Sequence, residues 1–140
     1  MATKIFNMNI QGYWRDENKS DIPSHSGVYF VYVASYNVKT NEVTLYSLIY
    51  IGESDNVNSR IQNHEKYDEW KTYLSQGQEL CFSTCQIDSD YRLRVEAVYI
   101  FNHKPAVNTE YKNSFPFDQT TVVSTGVTNL LNTNFTVYRT

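Results

Sequence analysis

Two side chains that can act on a phosphate group lie close together in the middle of the chain. Arg60 and His64 are four residues apart, a spacing that predicts one shared face of a helix. Arginine is the preferred donor to phosphate oxygens, and a nearby histidine can accept or deliver a proton close to neutral pH. Such a pair is usually solvated surface, so it indicates a site only if other reactive groups join it.

Glu96 is the most unusual acidic residue of the sequence. On a predicted helix it borders the apolar face that Leu93, Ala97 and Ile100 would form. A buried carboxylate without a partner is strongly unfavourable, so this position needs a cation or a hydrogen-bond donor. It is either one half of a salt bridge or a metal ligand that acts with other site residues. The candidate salt-bridge partners are Arg92, Arg60 and Arg94.

The elements that must position these groups follow from the apolar pattern. The run from Gly27 to Ala34 predicts a strand covered on both faces, and Val43 to Ile51 predicts a second strand after a longish hairpin loop. Together with the helices, these strands indicate an α+β domain. The other predicted elements are a helix capped by Ser54 or Asp55 and running to His64, a short helix from Tyr67 to Ser75, a strand from Glu79 to Ile87, and a helix from about Tyr91 to Phe101 that ends before Pro105.

Length and composition limit the function. The chain has 140 residues, enough for one domain, and a formal charge of -3, so any nucleic-acid contact must be local. Motifs for phosphate-binding loops, dinucleotide folds, zinc proteases and serine hydrolases are missing from the sequence. No apolar stretch approaches the roughly 20 residues of a membrane span, and no signal pattern opens the chain, so we expect a cytoplasmic protein without membrane contact. Cys81 and Cys85 are expected to be reduced packing residues.

The two ends of the chain differ from its middle. Residues 1–25 are predicted to be a loosely packed N-terminal extension, and residues 26–108 the folded core. Residues 109–140 form a tail rich in Thr, Asn and Ser, with short β-like runs that suit either an added hairpin or an oligomerisation arm. We expect all three parts to belong to a single domain, 1–140.

The candidate residues also occur in a characteristic order. Gly27-Val28-Tyr29 is followed by Tyr50-Ile51-Gly52-Glu53-Ser54, then by Arg60 and His64, then by Glu96, and finally by Pro105-x-x-Asn108. From Ser26 to Asn108 this order resembles that of the GIY-YIG nuclease family. Two departures are Val28, where the family motif has Ile, and the hairpin from Phe30 to Ile49, which is longer than usual.

The resemblance implies a small three-stranded antiparallel sheet flanked by helices, a divalent cation (Mg²⁺ or Mn²⁺), and hydrolysis of DNA phosphodiester bonds. It makes Glu96 the metal ligand and assigns Arg60 to the scissile phosphate, with Gly52 and Ser54 beside the substrate. Tyr29, Tyr50 and His64 would surround the attacking water, and Asn108 would order the site. Either Tyr29 or His64 would be the general base.

The resemblance leaves several functional alternatives open. RNA is an alternative substrate to DNA. Double-strand cleavage would need a homodimer with two-fold symmetry or two sequential nicks. The alternative function is a catalytically retired module of the same family that binds nucleic acid or protein without cutting.

Overall fold

One sheet contains all strands of the part of the chain that the structure describes, residues 2–140 of a computed structural model. Its strands are β1 (Lys4–Arg15), β2 (Gly27–Asn37), β3 (Glu42–Ser54), β4 (Glu79–Gln86), β5 (Thr120–Gly126) and β6 (Asn134–Val137). They lie in the order β3-β2-β4-β1-β5-β6. All neighbouring strands are antiparallel except β1 and β5, which are parallel.

Helices cover both faces of this sheet. They are α1 (Val57–Gln62), α2 (Tyr67–Lys71) and α3 (Ser89–His103), and a 3-10 helix (Asp16–Asp21) follows β1. Alternation along β2 divides the interior into two cores, because successive side chains of a strand point to opposite faces. Val28 and Phe30 pack with residues of α3, whereas Tyr29 and Val31 pack with residues of α1 and α2. The prediction that this strand is covered on both faces is confirmed.

The predicted three-stranded sheet flanked by helices is wrong. Strands β3, β2 and β4 do form an antiparallel unit, but β1, β5 and β6 extend the sheet to six strands, and one of the new pairs is parallel. The expected loose packing of the N-terminal extension is also wrong, because Phe6, Met8 and Ile10 are buried in the core beside α3. Their alternation with exposed Asn7 and Asn9 is the period of a strand.

The C-terminal tail forms the added hairpin, one of its two predicted alternatives. Strands β5 and β6 pair from Thr120 with Val137 to Val123 with Asn134. Val122 and Val137 bury their side chains in the same core as α3. The tail therefore belongs to the main sheet.

Several boundaries differ from the predicted ones. Strands β2 and β3 pair as far as Asn37 and Glu42, so the loop between them is short and the strands are long. Helix α1 ends at Gln62, before His64, and its cap is Asn56, whose side chain accepts a hydrogen bond from the Ser59 N–H.

Helix α3 begins before and ends after its predicted bounds. It stops at His103 because Lys104 adopts a left-handed conformation (φ 49°) directly before Pro105. Leu93, expected on its apolar face, is 47% exposed. Cys81 and Cys85 are buried free thiols, as predicted. Among the described residues, no helix is long and apolar enough to cross a membrane.

The placement of β1 gives a first prediction. Ile10→Ala should lower the free energy of unfolding by about 2 to 5 kcal/mol, because Ile10 is only 2% exposed and its removal leaves a cavity. Ile5→Ala, on the same strand but 61% exposed, should change it by less than about 0.5 kcal/mol. Urea unfolding measures both values. Equal small effects would mean that the N-terminal segment packs loosely after all.

Candidate active site

Tyr29 reaches the candidate site by crossing Gly52. The two residues are partners in the β2–β3 register, and the tyrosine ring lies over the position where any other residue would carry a side chain. A Cβ at Gly52 would lie 2.3 Å from both Cζ and Oη of Tyr29. Because β3 is the edge strand beside β2, the absent side chain lets the hydroxyl extend toward the outer edge of the sheet.

The Tyr29 hydroxyl ends beside His64, at 2.6 Å from Nε2. The other ring nitrogen, Nδ1, accepts a hydrogen bond from the Lys66 backbone N–H at 3.1 Å. In a neutral imidazole the proton must then lie on Nε2, so His64 donates and the Tyr29 oxygen accepts. Neither nitrogen of His64 is therefore free to take a proton from water.

His64 is held neutral by its surroundings. Burial and, to a smaller extent, the positive charge of Arg60 lower its pKa to about 4. Its ring packs against Trp70, with ring centroids 4.3 Å apart, and contacts Tyr50 edge to face. His64 lies beyond the end of α1, so the prediction that it shares a helix face with Arg60 is wrong.

Arg60 forms a two-pronged ion pair with Glu65. Nη1 donates to Oε2 at 2.5 Å, and Nη2 donates to Oε1 at 2.8 Å. The guanidinium holds the pKa of Glu65 at about 2 and also lowers the pKa of the nearby Tyr29 hydroxyl. Burial opposes that second effect and leaves the pKa of Tyr29 raised. Glu65 thus holds Arg60 at the site in the same fork geometry that a phosphate accepts.

Asn108 closes the outer edge of β3. Its side-chain amide accepts from the Ile51 N–H at 2.9 Å and donates to the Ile51 carbonyl at 2.8 Å, as a neighbouring strand would do. One residue earlier in the chain, the Val107 N–H donates to the Ile49 carbonyl at 3.0 Å. These bonds fix the strand that carries Tyr50 and Gly52, which is the supporting role that the resemblance implies.

Glu96 faces this edge from α3 without an arginine partner among the described residues. Arg92 binds Glu53, and Arg60 binds Glu65. Buried Arg94 donates instead to Thr120 Oγ1 and to backbone carbonyls. All three candidate partners for a salt bridge are therefore engaged elsewhere. The salt-bridge interpretation of Glu96 is wrong, and the metal-ligand interpretation stays a prediction.

The electrostatics of Glu96 suit a divalent cation. Burial and the negative charges of Glu53 and Glu110 together raise its pKa to about 8, while Arg92 opposes them. A hard cation would reverse this effect by supplying the missing positive charge. Within residues 2–140, no three His, Cys, Asp or Glu side chains are grouped to hold a metal ion. A cation bound at Glu96 would thus draw most of its ligands from water and substrate.

A cleft of about 190 Å³ lies between Tyr50 and Glu96. Asn108 and Ile100 form part of its lining. Four further lining residues carry no sequence signal, because their loops and side-chain directions appear only after folding. They are Lys66, Thr109, Glu110 and Tyr111.

The structure brings most of the predicted site residues together. Tyr29, His64 and Arg60 meet above β3, and Tyr50 joins them to the cleft that contains Glu96. Ser54 is the exception, because its hydroxyl donates to the Asn56 carbonyl and accepts from the Asn56 N–H, both at 3.0 Å. Its observed bonds therefore stabilise the turn before α1.

Comparison of the chain with protein-family models, with curated proteins and with solved structures gave no match. The resemblance to GIY-YIG nucleases therefore rests on the residues of this chain and on their arrangement.

The crossing of Tyr29 over Gly52 can be tested by a double-mutant cycle. Gly52→Ala should lower the free energy of unfolding by about 1 to 3 kcal/mol, because the new methyl group overlaps the tyrosine ring. In a Tyr29→Leu background, which lacks the overlapping atoms, the same change should cost less than about 1 kcal/mol. Equal costs in the two backgrounds would contradict the crossing.

The neutral state of His64 predicts a pH-dependent stability. The unfolded histidine has a pKa near 6.5, so the stability contributed by the folded site is complete above that pH and is lost as the pH falls toward 4. The loss should reach about 3 kcal/mol across this window. His64→Gln cannot titrate and should remove this part of the pH dependence of unfolding. Identical pH profiles for the two proteins would show that His64 is protonated normally.

Proposed function

We propose that the protein is a metal-dependent endonuclease that hydrolyses phosphodiester bonds of DNA through a GIY-YIG-type site. The observation that carries the proposal is the convergence of Tyr29, Arg60 and Glu96 on one edge of the sheet. They come from β2, α1 and α3, and each influences the pKa of at least one of the others. An arginine, an oriented hydroxyl and a carboxylate that is not part of an ion pair among the described residues are groups that phosphodiester hydrolysis can use.

In the proposed reaction, Arg60 binds the non-bridging oxygens of the scissile phosphate. Glu65 occupies the same N–H donors in the free protein, so substrate exchanges one anion for another and the guanidinium keeps an anionic partner throughout. As negative charge develops on the phosphate, the guanidinium stabilises it. Glu65 is solvent-exposed, with 62% of its side chain accessible, so it can return to water when displaced.

Tyr29 is the proposed proton acceptor. His64 is excluded from this role because its Nδ1 is occupied and its Nε2 carries the proton. The same Nε2–H group and Arg60 both stabilise negative charge on the Tyr29 oxygen. Tyr29 must first give its phenolic proton to solvent, a step that burial opposes by raising the pKa of the hydroxyl and that the Arg60 charge favours. The attacking water then passes its proton to the tyrosinate oxygen, the P–O bond to the leaving group breaks, and the leaving oxygen takes a proton from solvent.

Glu96 is the proposed holder of Mg²⁺ or Mn²⁺. A bound divalent cation would polarise the phosphate and stabilise the charge on the leaving oxygen. Glu96 would hold the cation, and Tyr50 lines the same cleft. Asn108 keeps the edge of β3 in place between them.

The substrate assignment is supported by charge and by the shape of the site. Because the net charge is -3, nucleic acid is expected to contact the protein only locally. Lys66 lines the cleft and adds a second positive charge to that of Arg60. One site per chain nicks one strand, and a homodimer would cut both. We propose the cytoplasm as the location, since buried free thiols are typical of a reducing compartment.

Nicking of supercoiled plasmid at low salt tests this function. With Mg²⁺ or Mn²⁺ the protein should convert the plasmid to the open circle, and EDTA should stop it. Glu96→Gln should lower the rate by at least about 100-fold, because the uncharged amide loses the cation. Glu42→Gln makes the same chemical change at the exposed start of β3 and should leave the rate unchanged. A protein that binds DNA without nicking it, with either cation, would instead be a binding module.

In the absence of divalent metal ions, removal of the Glu96 charge should stabilise the folded protein. A raised carboxyl pKa means that folded-state stability is complete below pH 4.5 and is lost as the pH rises through about 8. Because the side chain is partly exposed, the gain for Glu96→Gln at pH 8.5 should be only about 1 to 2 kcal/mol. Urea unfolding in EDTA at pH 4.5 and 8.5 measures it. A variant that is less stable at both pH values would mean that Glu96 is an ordinary structural carboxylate.

A further inference from the structure

Strand β1 has a neighbour on both sides over only part of its length. Its register with β5 runs from Lys4 to Ile10, whereas its register with β4 begins at Ile10. Residues 4–9 therefore pair with β5 on one side and have no strand on the other. This half of β1 is a free edge inside the sheet, because β4 ends at Gln86 beside it.

The main-chain groups of three residues point to that free edge. The Lys4 N–H donates to the Gln119 carbonyl at 3.1 Å, and the Ile10 carbonyl accepts from the Val127 N–H at 3.0 Å. The even-numbered residues from Lys4 to Ile10 thus direct both their N–H and their C=O groups toward β5. Because the direction alternates along a strand, Ile5, Asn7 and Asn9 direct theirs away from β5.

A cavity of about 570 Å³ adjoins these three residues. We call it the β1 slot and define it by Ile5, Asn7, Asn9, Gln86, Asp88 and Tyr91, which all line it. The free segment from Ile5 to Asn9 is about 14 Å long at about 3.4 Å per residue. The slot therefore has the length of a short strand, and it ends at the first turn of α3.

The chemistry of the β1 slot selects an extended polypeptide. Alternating N–H and C=O groups at strand spacing are complementary to another main chain. Among the described residues that line the cavity, only Asp88 is charged, and Lys4 adds one cation at the Tyr91 end, where its Nζ lies 4.7 Å from the ring centroid. One cation beside one carboxylate does not form the basic surface that a polyanion such as DNA requires. The two faces differ, since Asn7 and Asn9 are exposed on one side while Phe6 packs against Tyr91 on the other at a centroid distance of 5.4 Å.

The free edge also lacks the usual protection against strand pairing. Natural edges are commonly blocked by charges, prolines or bulges. The paired segment of β1 and β5 has an unbroken register, and its edge residues Ile5, Asn7 and Asn9 are uncharged. On the opposite border of the sheet, β3 is partly covered by Asn108 and contains register shifts against β2. The unpaired edge of β1 lies within the β1 slot, an arrangement that suits the binding of another strand.

We propose that the β1 slot binds an extended peptide segment of a partner protein as an additional strand. The segment pairs with the main chain of Ile5, Asn7 and Asn9. Its side chains alternate between apolar residues that contact Tyr91 and polar residues that face the asparagines. This interaction is distinct from the proposed nuclease site around β3, because strands β2 and β4 lie between β3 and β1 in the sheet.

Hydrogen exchange of the free protein is the first test. The amides of Ile5, Asn7 and Asn9 should exchange at least about 100-fold faster than those of Phe6 and Met8, which face β5. Equal protection of all five amides would show that the edge is closed and would overturn the proposal.

Peptide selection on the full chain is the second test, with displayed random heptapeptides as the probe. A selected peptide should bind with a Kd below about 100 µM and protect the three exposed amides. Methylation of its alternate amide nitrogens should weaken binding by at least about 10-fold. Failure to select a peptide, or protection confined to other residues, would overturn the proposal. So would protection of the same amides by duplex DNA or by a concentration-dependent dimer.

A pair of variants separates main-chain pairing from side-chain contact. Asn7→Ala keeps the N–H that faces the slot and should retain peptide binding within about 3-fold, whereas Asn7→Pro lacks that N–H and should lose at least about 10-fold. Loss of binding in Asn7→Ala alone would contradict an added strand. If Asn7→Pro does not fold, the methylated peptides make the same comparison on the unchanged protein.

Discussion

The contact between the Tyr29 ring and Gly52 determines the geometry of the whole candidate site. A strand residue normally ends above its own strand, yet this ring extends across the neighbouring strand because glycine offers no Cβ to stop it. The hydroxyl thereby crosses β3 and meets buried His64 beside the outer edge of that strand. The register of β2 and β3 is thus a functional constraint, since a shift by one residue would place a side chain under the ring and turn Tyr29 to the other face.

The arginines around this contact are paired with carboxylates, whereas Glu96 is not paired with an arginine among the described residues. Arg60 and Arg92 each have an acidic partner, but Glu96 faces a cleft with two other carboxylates near it and no guanidinium bound. Protein interiors rarely leave a carboxylate in this state, because its ionised form lacks compensation. Such an arrangement lowers stability near neutral pH and favours any divalent cation that enters the cleft. Uncompensated charge at Glu96 and preorganised donors at Arg60 and His64 are therefore two parts of one proposed mechanism.

The sequence contains the information for the central strands and for the order of the site residues, but only part of the fold. The apolar run of β2 and the glycine near the end of β3, Gly52, are strong local signals. The strand character of residues 4–10 is visible as alternation, yet its parallel partner lies more than 100 residues away and leaves no local trace. The pairing of Glu65 with Arg60 depends on how the chain turns after α1. The engagement of Arg94 by carbonyls near Thr120 likewise appears only when the tail joins the sheet.

Cleavage of DNA by Tyr29→Phe tests the central claim most directly. Phenylalanine keeps the ring across Gly52 and removes only the hydroxyl, so the variant should remain folded, with its unfolding midpoint in urea close to that of the unchanged protein. The account predicts a cleavage rate at least about 100-fold lower in Mg²⁺ at every pH, because the proposed proton acceptor is gone. A Tyr29→Phe protein that cleaves at the rate of the unchanged chain would contradict it.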